Sequence, residues 1–219
     1  MNETEVSVAY ERETGLIVLE GRLRLPDSGA PAPGVVLCHP HPSGGGDMDV
    51  PLINLLSEAL CLMGAAVLRF NFAGVGMSRG VFTDGALEPH DVRAAFRYLR
   101  SHPEVDPESV SLAGWSFGSW MALVALAEGP GLPAVSLVAV APPLVACEWS
   151  DVAARLADSP ALRHYIVGDR DRFCPVGMLE EFAASVSATD RENVIVVPGA
   201  DHFLSGRETE VARLVAGCL

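Results

Sequence analysis

Two stretches of this chain set a serine between glycines at the same spacing: Gly114-Trp115-Ser116-Phe117-Gly118 and Gly76-Met77-Ser78-Arg79-Gly80. A serine hydroxyl is a weak nucleophile at neutral pH. It becomes a strong one when a base takes its proton and a sharp turn exposes it between a strand and a helix. The flanking glycines of such a turn leave space where side chains would strike the adjoining elements. With 21 glycines in 219 residues the pattern arises easily by chance, so the surroundings must choose. Ser116 follows the apolar run SVSLA and opens the apolar helical stretch FGSWMALVALAE. Ser78 runs instead into RGVFTDGALEP, whose Thr, Asp, Gly and Pro are loop formers. Ser116 is therefore the expected nucleophile, and Ser78 a loop residue with at most a place at the rim of a site.

A serine nucleophile needs a histidine base and a carboxylate to orient that base. In an open parallel sheet both are expected just beyond the C-terminal ends of later strands. NVIVVPG ends in ADHFLSGRE, which puts His202 there. HYIVGD runs into RDRFCP and offers Asp169 and Asp171. Asp171 is favoured, because the residue at the strand end tends to form the turn and one further along can reach the crevice. Asp201 is the weaker candidate, since adjacent side chains rarely face each other. The helix opening at Ser116 presents unpaired N–H groups and a partial positive charge, so the Phe117 N–H is a natural donor to an oxyanion. A second donor is expected in the loop HPHPSGGGDMD at 39–49. Pro40 and Pro42 have no N–H, which leaves His41 between them. His39 and His41 lack an obvious third partner for a metal, so no metal site is expected. The residues at 43–46 could cradle a phosphate, but no Walker lysine accompanies them; the glycines are read as letting the backbone lie close to the site.

These residues need a scaffold, and the hydrophobic pattern supplies one. Strands are expected at 6–10 and 15–26, the second alternating along Leu19, Gly21, Leu23 and Leu25 as a half-exposed antiparallel strand would. After a turn at 27–34, short unbroken apolar runs at 34–38, 65–72, 109–114, 135–141, 163–168 and 193–199 alternate with helical periods. The helices are expected near 50–63, 89–101, 116–127, 176–187 and 206–217. That alternation indicates six parallel strands covered on both faces, after two antiparallel ones.

A formal charge of −13 argues against nucleic acid and against anionic membranes. Five cysteines without a CxxC pair suit free thiols in a reducing compartment. The polar N-terminal stretch does not read as a secretion signal, and no apolar run could span a bilayer, so a cytoplasmic location is expected. A single domain over 1–219 is expected, because no repeat or linker divides the chain.

CHPHPSGGGDMD (38–49), FNFAGVGMSRG (70–80), GWSFGS (114–119), GDRDRFCP (168–175) and GADHF (199–203) together resemble the α/β-hydrolases. The likeness is greatest to the small lidless serine hydrolase group with His-Pro-His-Pro followed by Gly-Gly and Met-Asp. The order Ser, Asp, His is also that of the superfamily. The resemblance implies a catalytic triad of Ser116, Asp171 and His202, backbone donors at His41 and Phe117, and no cofactor. Ala73 stands where the group frequently has Arg, and Asp47 where Thr is common, so a relative's substrate preference does not transfer. The segment 142–163, where lids of this fold are usually inserted, has room for one short helix. An open site suits carboxylic esters of small to medium acyl chain, with Trp115, Phe117, Leu144 and Trp149 as expected pocket walls. A small-molecule ester is the expected partner; a homodimer stays open, since no stretch marks an edge for a second copy. The same triad serves thioesterases, acyltransferases and perhydrolases, and a non-catalytic binding protein on this scaffold is the alternative from another class. A dinucleotide-binding enzyme is disfavoured, because no GxGxxG opens a helix.

Overall fold

The structure, a computed structural model, describes residues 2–12, 15–27, 31–128, 132–186 and 192–219. Its elements run β1 (Asn2–Arg12), β2 (Gly15–Leu25), β3 (Ala32–Cys38), α1 (Pro51–Leu62), β4 (Ala66–Phe70), α2 (Glu88–Arg100), β5 (Val105–Trp115), α3 (Phe117–Ala127), β6 (Ser136–Val140), α4 (Ser150–Leu156), β7 (Leu162–Gly168), α5 (Val176–Val186), β8 (Glu192–Val197) and α6 (Glu208–Gly217). Residues 28–30 of the expected turn and position 187 of the helix expected at 176–187 lie outside the described residues.

Eight strands form one sheet in the order β1-β2-β4-β3-β5-β6-β7-β8. β1 pairs antiparallel with β2 from end to end, and β2 antiparallel with β4. Every pair from β4 to β8 is parallel, as the unbroken apolar runs require. In β2 the alternation holds, with Ile17, Leu19 and Leu23 buried and Leu25 half-buried. β1 is longer than its apolar stretch of 6–10. Most of its side chains face solvent, so its length follows from pairing with β2 rather than from burial.

The period of two along each inner strand divides the core. In β3, Val35 and Leu37 pack with Leu52, Ile53 and Leu56 of α1 on one face. Val36 and Cys38 pack with α2 and α3 on the other. The helices α1 and α6 cover the first face; α2 to α5 cover the second. α3 is buried on nearly every side, so it reads as a continuous apolar stretch instead of a stripe. Between β6 and β7 the chain makes one 3-10 turn at Leu144–Ala146 and the seven-residue α4, the short helix for which the segment had room. Among the described residues no helix is long and apolar enough to cross a membrane.

Candidate active site

From β3 the chain moves to β4 on one side and then crosses to β5 on the other. At such a switch point the loops leaving the two strands part, and a crevice opens beyond their C-terminal ends. His41 leaves β3 into that crevice, and Ser116 leaves β5.

Ser116 sits at φ 53°, ψ −122°, a region that side-chain-bearing residues rarely occupy. The neighbouring strand holds it there: its N–H donates to the Val140 carbonyl at 2.8 Å, and the Ser119 hydroxyl donates to the Ser116 carbonyl at 2.6 Å. Both flanking glycines are required by contact. A Cβ at Gly118 would lie 2.4 Å from the carbonyl oxygens of Cys38 and His39, at the end of β3. One at Gly114 would lie 2.6 Å from the Gly118 carbonyl carbon, within α3.

Three side chains from three strand ends meet here. Ser116 Oγ is 2.8 Å from His202 Nε2, and His202 Nδ1 is 2.9 and 3.1 Å from the two oxygens of Asp171. A carboxylate at Nδ1 keeps the proton on that nitrogen, so Nε2 is the acceptor facing the serine. Asp171 is itself held by N–H groups of Phe173 (2.8 Å) and Cys174 (2.9 Å), with its side chain fully shielded from solvent. The two other aspartates turn elsewhere. Asp169 accepts the Gly199 N–H, and Asp201 accepts that of Phe203. Ser78 is buried away from the crevice, where its hydroxyl donates to the Asn71 carbonyl and accepts the Glu20 N–H, tying β2 to the loop that leaves β4.

The N–H groups of His41 and Phe117 donate to no group among the described residues. His39, its neighbour two positions back, is buried. One ring nitrogen meets the Pro40 carbonyl at 2.7 Å, and the other accepts the Phe72 N–H at 3.2 Å. Burial pushes its pKa down to about 4. With both nitrogens engaged, it pins the root of the loop instead of facing the crevice. Gly46 passes so close that a Cβ would lie 2.2 Å from the Pro40 carbonyl, and Gly44, Gly45 and Gly46 all line the crevice.

The crevice opens into a cavity of about 950 Å³. Trp115 lines it, and its indole N–H also donates to the His202 carbonyl at 3.2 Å, bracing the histidine loop. Phe117, Trp120, Met121 and Val124 form one wall. Their spacing of three, four and seven residues is one face of α3, a signal that was present in the sequence. Leu144 and Trp149 are not walls, contrary to expectation. Leu144 is 1% exposed and points into the core, while Trp149 packs edge-on against Phe182 at 5.8 Å. The segment's cavity face is carried instead by Pro143, Ala146 and Cys147. Burial pushes the Cys147 thiol up to about 12, so it stays protonated near neutrality and does not compete as a nucleophile. Phe173 and Phe203 flank His202 at the mouth, with ring centroids 4.7 and 5.7 Å away. They follow Asp171 and His202 closely in the chain, a sequence signal for the mouth of the site.

Comparison with known proteins agrees with this fold. An uncharacterized protein of Rickettsia prowazekii is 29% identical over 187 residues, 84% of this chain and 77% of its own. Among solved structures, a serine hydrolase homologue from Coxiella burnetii superposes with TM-score 0.80 at 27% identity, covering 98% of this chain and 97% of that one. A lidless serine hydrolase from Xanthomonas campestris, at 24% identity and TM-score 0.78, covers 97% and 92% and shares the fold. Residues 33–214 match the family described as the alpha/beta hydrolase domain, and to that family the chain belongs.

Proposed function

We propose that the protein is a serine hydrolase that cleaves carboxylic esters of small to medium acyl chain through an acyl-enzyme. The observation that carries this reading is the unbroken chain of hydrogen bonds from Asp171 through His202 to Ser116, ending in an open cavity. His202 Nε2 takes the Ser116 proton as Oγ attacks the ester carbonyl. The N–H groups of His41 and Phe117 receive the oxyanion. His202 then gives its proton to the departing alcohol. Water, activated by the same nitrogen, releases the acid and restores the serine. Asp171 holds the imidazole in the required tautomer and stabilises its charged form. The apolar face of α3 receives the acyl chain, and the shortness of the 142–163 segment leaves the mouth uncovered. The five cysteines are unpaired, which supports a cytoplasmic setting. The complete array argues against a non-catalytic binding protein.

Labelling with a fluorophosphonate tests the reading. The parent and Ser78→Ala should label, and Ser116→Ala should not. Equal labelling of all three, or none of the parent, would overturn it. A panel of p-nitrophenyl esters and thioesters of rising chain length then separates an esterase from a thioesterase. Activity should fall once the acyl chain outgrows the wall from Phe117 to Val124.

A further inference from the structure

We propose that Asp84 is a positioning residue for the second oxyanion donor, holding the His41 main chain in place through its imidazole; this rests on the hydrolase reading above. His41 Nε2 lies 2.7 Å from Asp84 Oδ1, across 43 residues of sequence. Its other ring nitrogen accepts the Ser43 N–H at 3.1 Å and meets the Ser43 hydroxyl at 2.8 Å. Because Nδ1 is an acceptor, the ring proton is on Nε2 and is donated to Asp84. The ring is thus tied at both edges. Its faces are held as well, T-shaped against Phe82 (5.3 Å) and against Phe117 (4.9 Å), the residue that carries the first donor. Proline on each side of His41 restricts its backbone, so a fixed imidazole acts as a lever that sets where the His41 N–H points.

The construction of the Asp84 turn supports a functional purpose. Asp84 lies at φ 57°, a left-handed conformation that Asp adopts more readily than most residues with side chains. Its two neighbours are clamped by one buried carboxylate. Glu88, at the start of α2 and fully shielded, accepts the N–H of Thr83 (2.8 Å), the N–H of Gly85 (2.7 Å) and the Thr83 hydroxyl (2.9 and 3.0 Å). Asp84 itself is 79% exposed. A solvent-facing contact of this kind adds little stability. A turn that is internally braced and aimed at the oxyanion side of the cavity makes sense if its product is the placement of His41.

Asp84→Gly removes the carboxylate while tolerating the positive φ, and Asp84→Asn keeps an acceptor oxygen in a residue type that accepts that φ. Steady-state hydrolysis of p-nitrophenyl butyrate, inhibition by butylboronic acid and thermal unfolding are measured for parent and variants. The boronic acid adopts the tetrahedral geometry of the transition state, so its affinity reports the donors directly. Asp84→Gly should lose about 30-fold in kcat with KM within about twofold, and boronate affinity should fall by a similar factor. Asp84→Asn should stay within about threefold of the parent in both. Unchanged kcat and boronate affinity in a folded Asp84→Gly would overturn the proposal, as would an Asp84→Asn variant that falls as far as Asp84→Gly. Fluorophosphonate labelling of the parent separates the two claims. No label overturns the hydrolase reading and this one with it; a labelled parent with an unaffected Asp84→Gly overturns this one alone.

Discussion

Gly118→Ala would set helix propensity against packing. The substitution adds one methyl in the first turn of α3, where alanine is the better helix former by about 1 kcal/mol. That methyl would lie 2.4 Å from the carbonyl oxygens of Cys38 and His39, whereas ordinary contact begins at 3.4 Å. The gap must therefore open by about 1 Å, and both obstacles are main chain, unable to swing aside as a side-chain tip would. The start of α3 has to withdraw from the end of β3. Phe117 rides on α3 and His41 on the loop leaving β3, so the same withdrawal separates the two oxyanion donors. A misplacement of about 1 Å costs on the order of 100-fold in rate. Overpacking costs about 1–3 kcal/mol, partly offset by the gain in propensity, so the folded state should weaken by no more than about 2 kcal/mol. The assay pairs kcat/KM for p-nitrophenyl butyrate with thermal unfolding. Gly177→Ala, in α5 where nothing lies within 4 Å, is the control and should leave activity unchanged. A folded Gly118→Ala protein within threefold of parental activity would refute the claim that this contact sets the donor spacing.

Asp171→Asn should keep the fold and lose about 10⁴-fold in kcat, since an amide at Nδ1 favours the wrong imidazole tautomer; a loss under tenfold in steady-state kinetics would remove Asp171 from its role. His39 ties stability to pH. Its pKa falls from 6.5 when unfolded to about 4 when folded, so between those values the unfolded chain binds a proton that the folded one refuses. The stabilisation, about 3 kcal/mol, is complete above pH 6.5 and is lost as pH falls towards 4. Denaturant melts at pH 7 and pH 4.5 should show a smaller difference for His39→Gln than for the parent, and equal differences would refute the assignment. The cavity is lined by Asp84, Glu148 and Glu208 and by no lysine or arginine among the described residues. A hemisuccinate ester should therefore be cleaved about tenfold more slowly than the butyrate of similar length, with the gap closing in 1 M salt. Equal rates at low salt would show that these carboxylates do not sense the acyl group.

The element order was legible because the apolar period changes from alternation in β2 to unbroken runs from β3 onward, and only a sheet covered on both faces tolerates such runs. Strand ends were less legible. β1 extends from Asn2 to Arg12 through main-chain pairing with β2, and that pairing leaves no mark on side chains that face water. Within the cavity, residue type misled where spacing would have served. Trp149 and Leu144 are large apolar residues near the right strand end, yet the nine residues between β6 and α4 can turn either side chain inward. The stripe Phe117, Trp120, Met121 and Val124 was fixed by helical geometry once α3 was placed.

Ser116, His202 and Asp171 were readable for a reason that Asp84 does not share. In a parallel sheet every strand delivers the next residues of the chain to the same edge, so position relative to a strand end is almost position in space. Asp84 belongs to no strand end. It lies in TDG, a sequence that reads as any exposed turn. Its aim depends on Glu88 folding back beneath it and on His41 arriving from β3, two contacts with no shared period or spacing. Groups that perform the bond-breaking step are tied to the sheet and inherit its regularity. Groups that tune them are attached through loops, and their roles emerge only from tertiary contact. A positive φ is only a partial guide to such groups: of the four residues other than glycine that have one among the described residues, Ser116 and Asp84 face the cavity, whereas Ala141 and Leu204 are buried in the core.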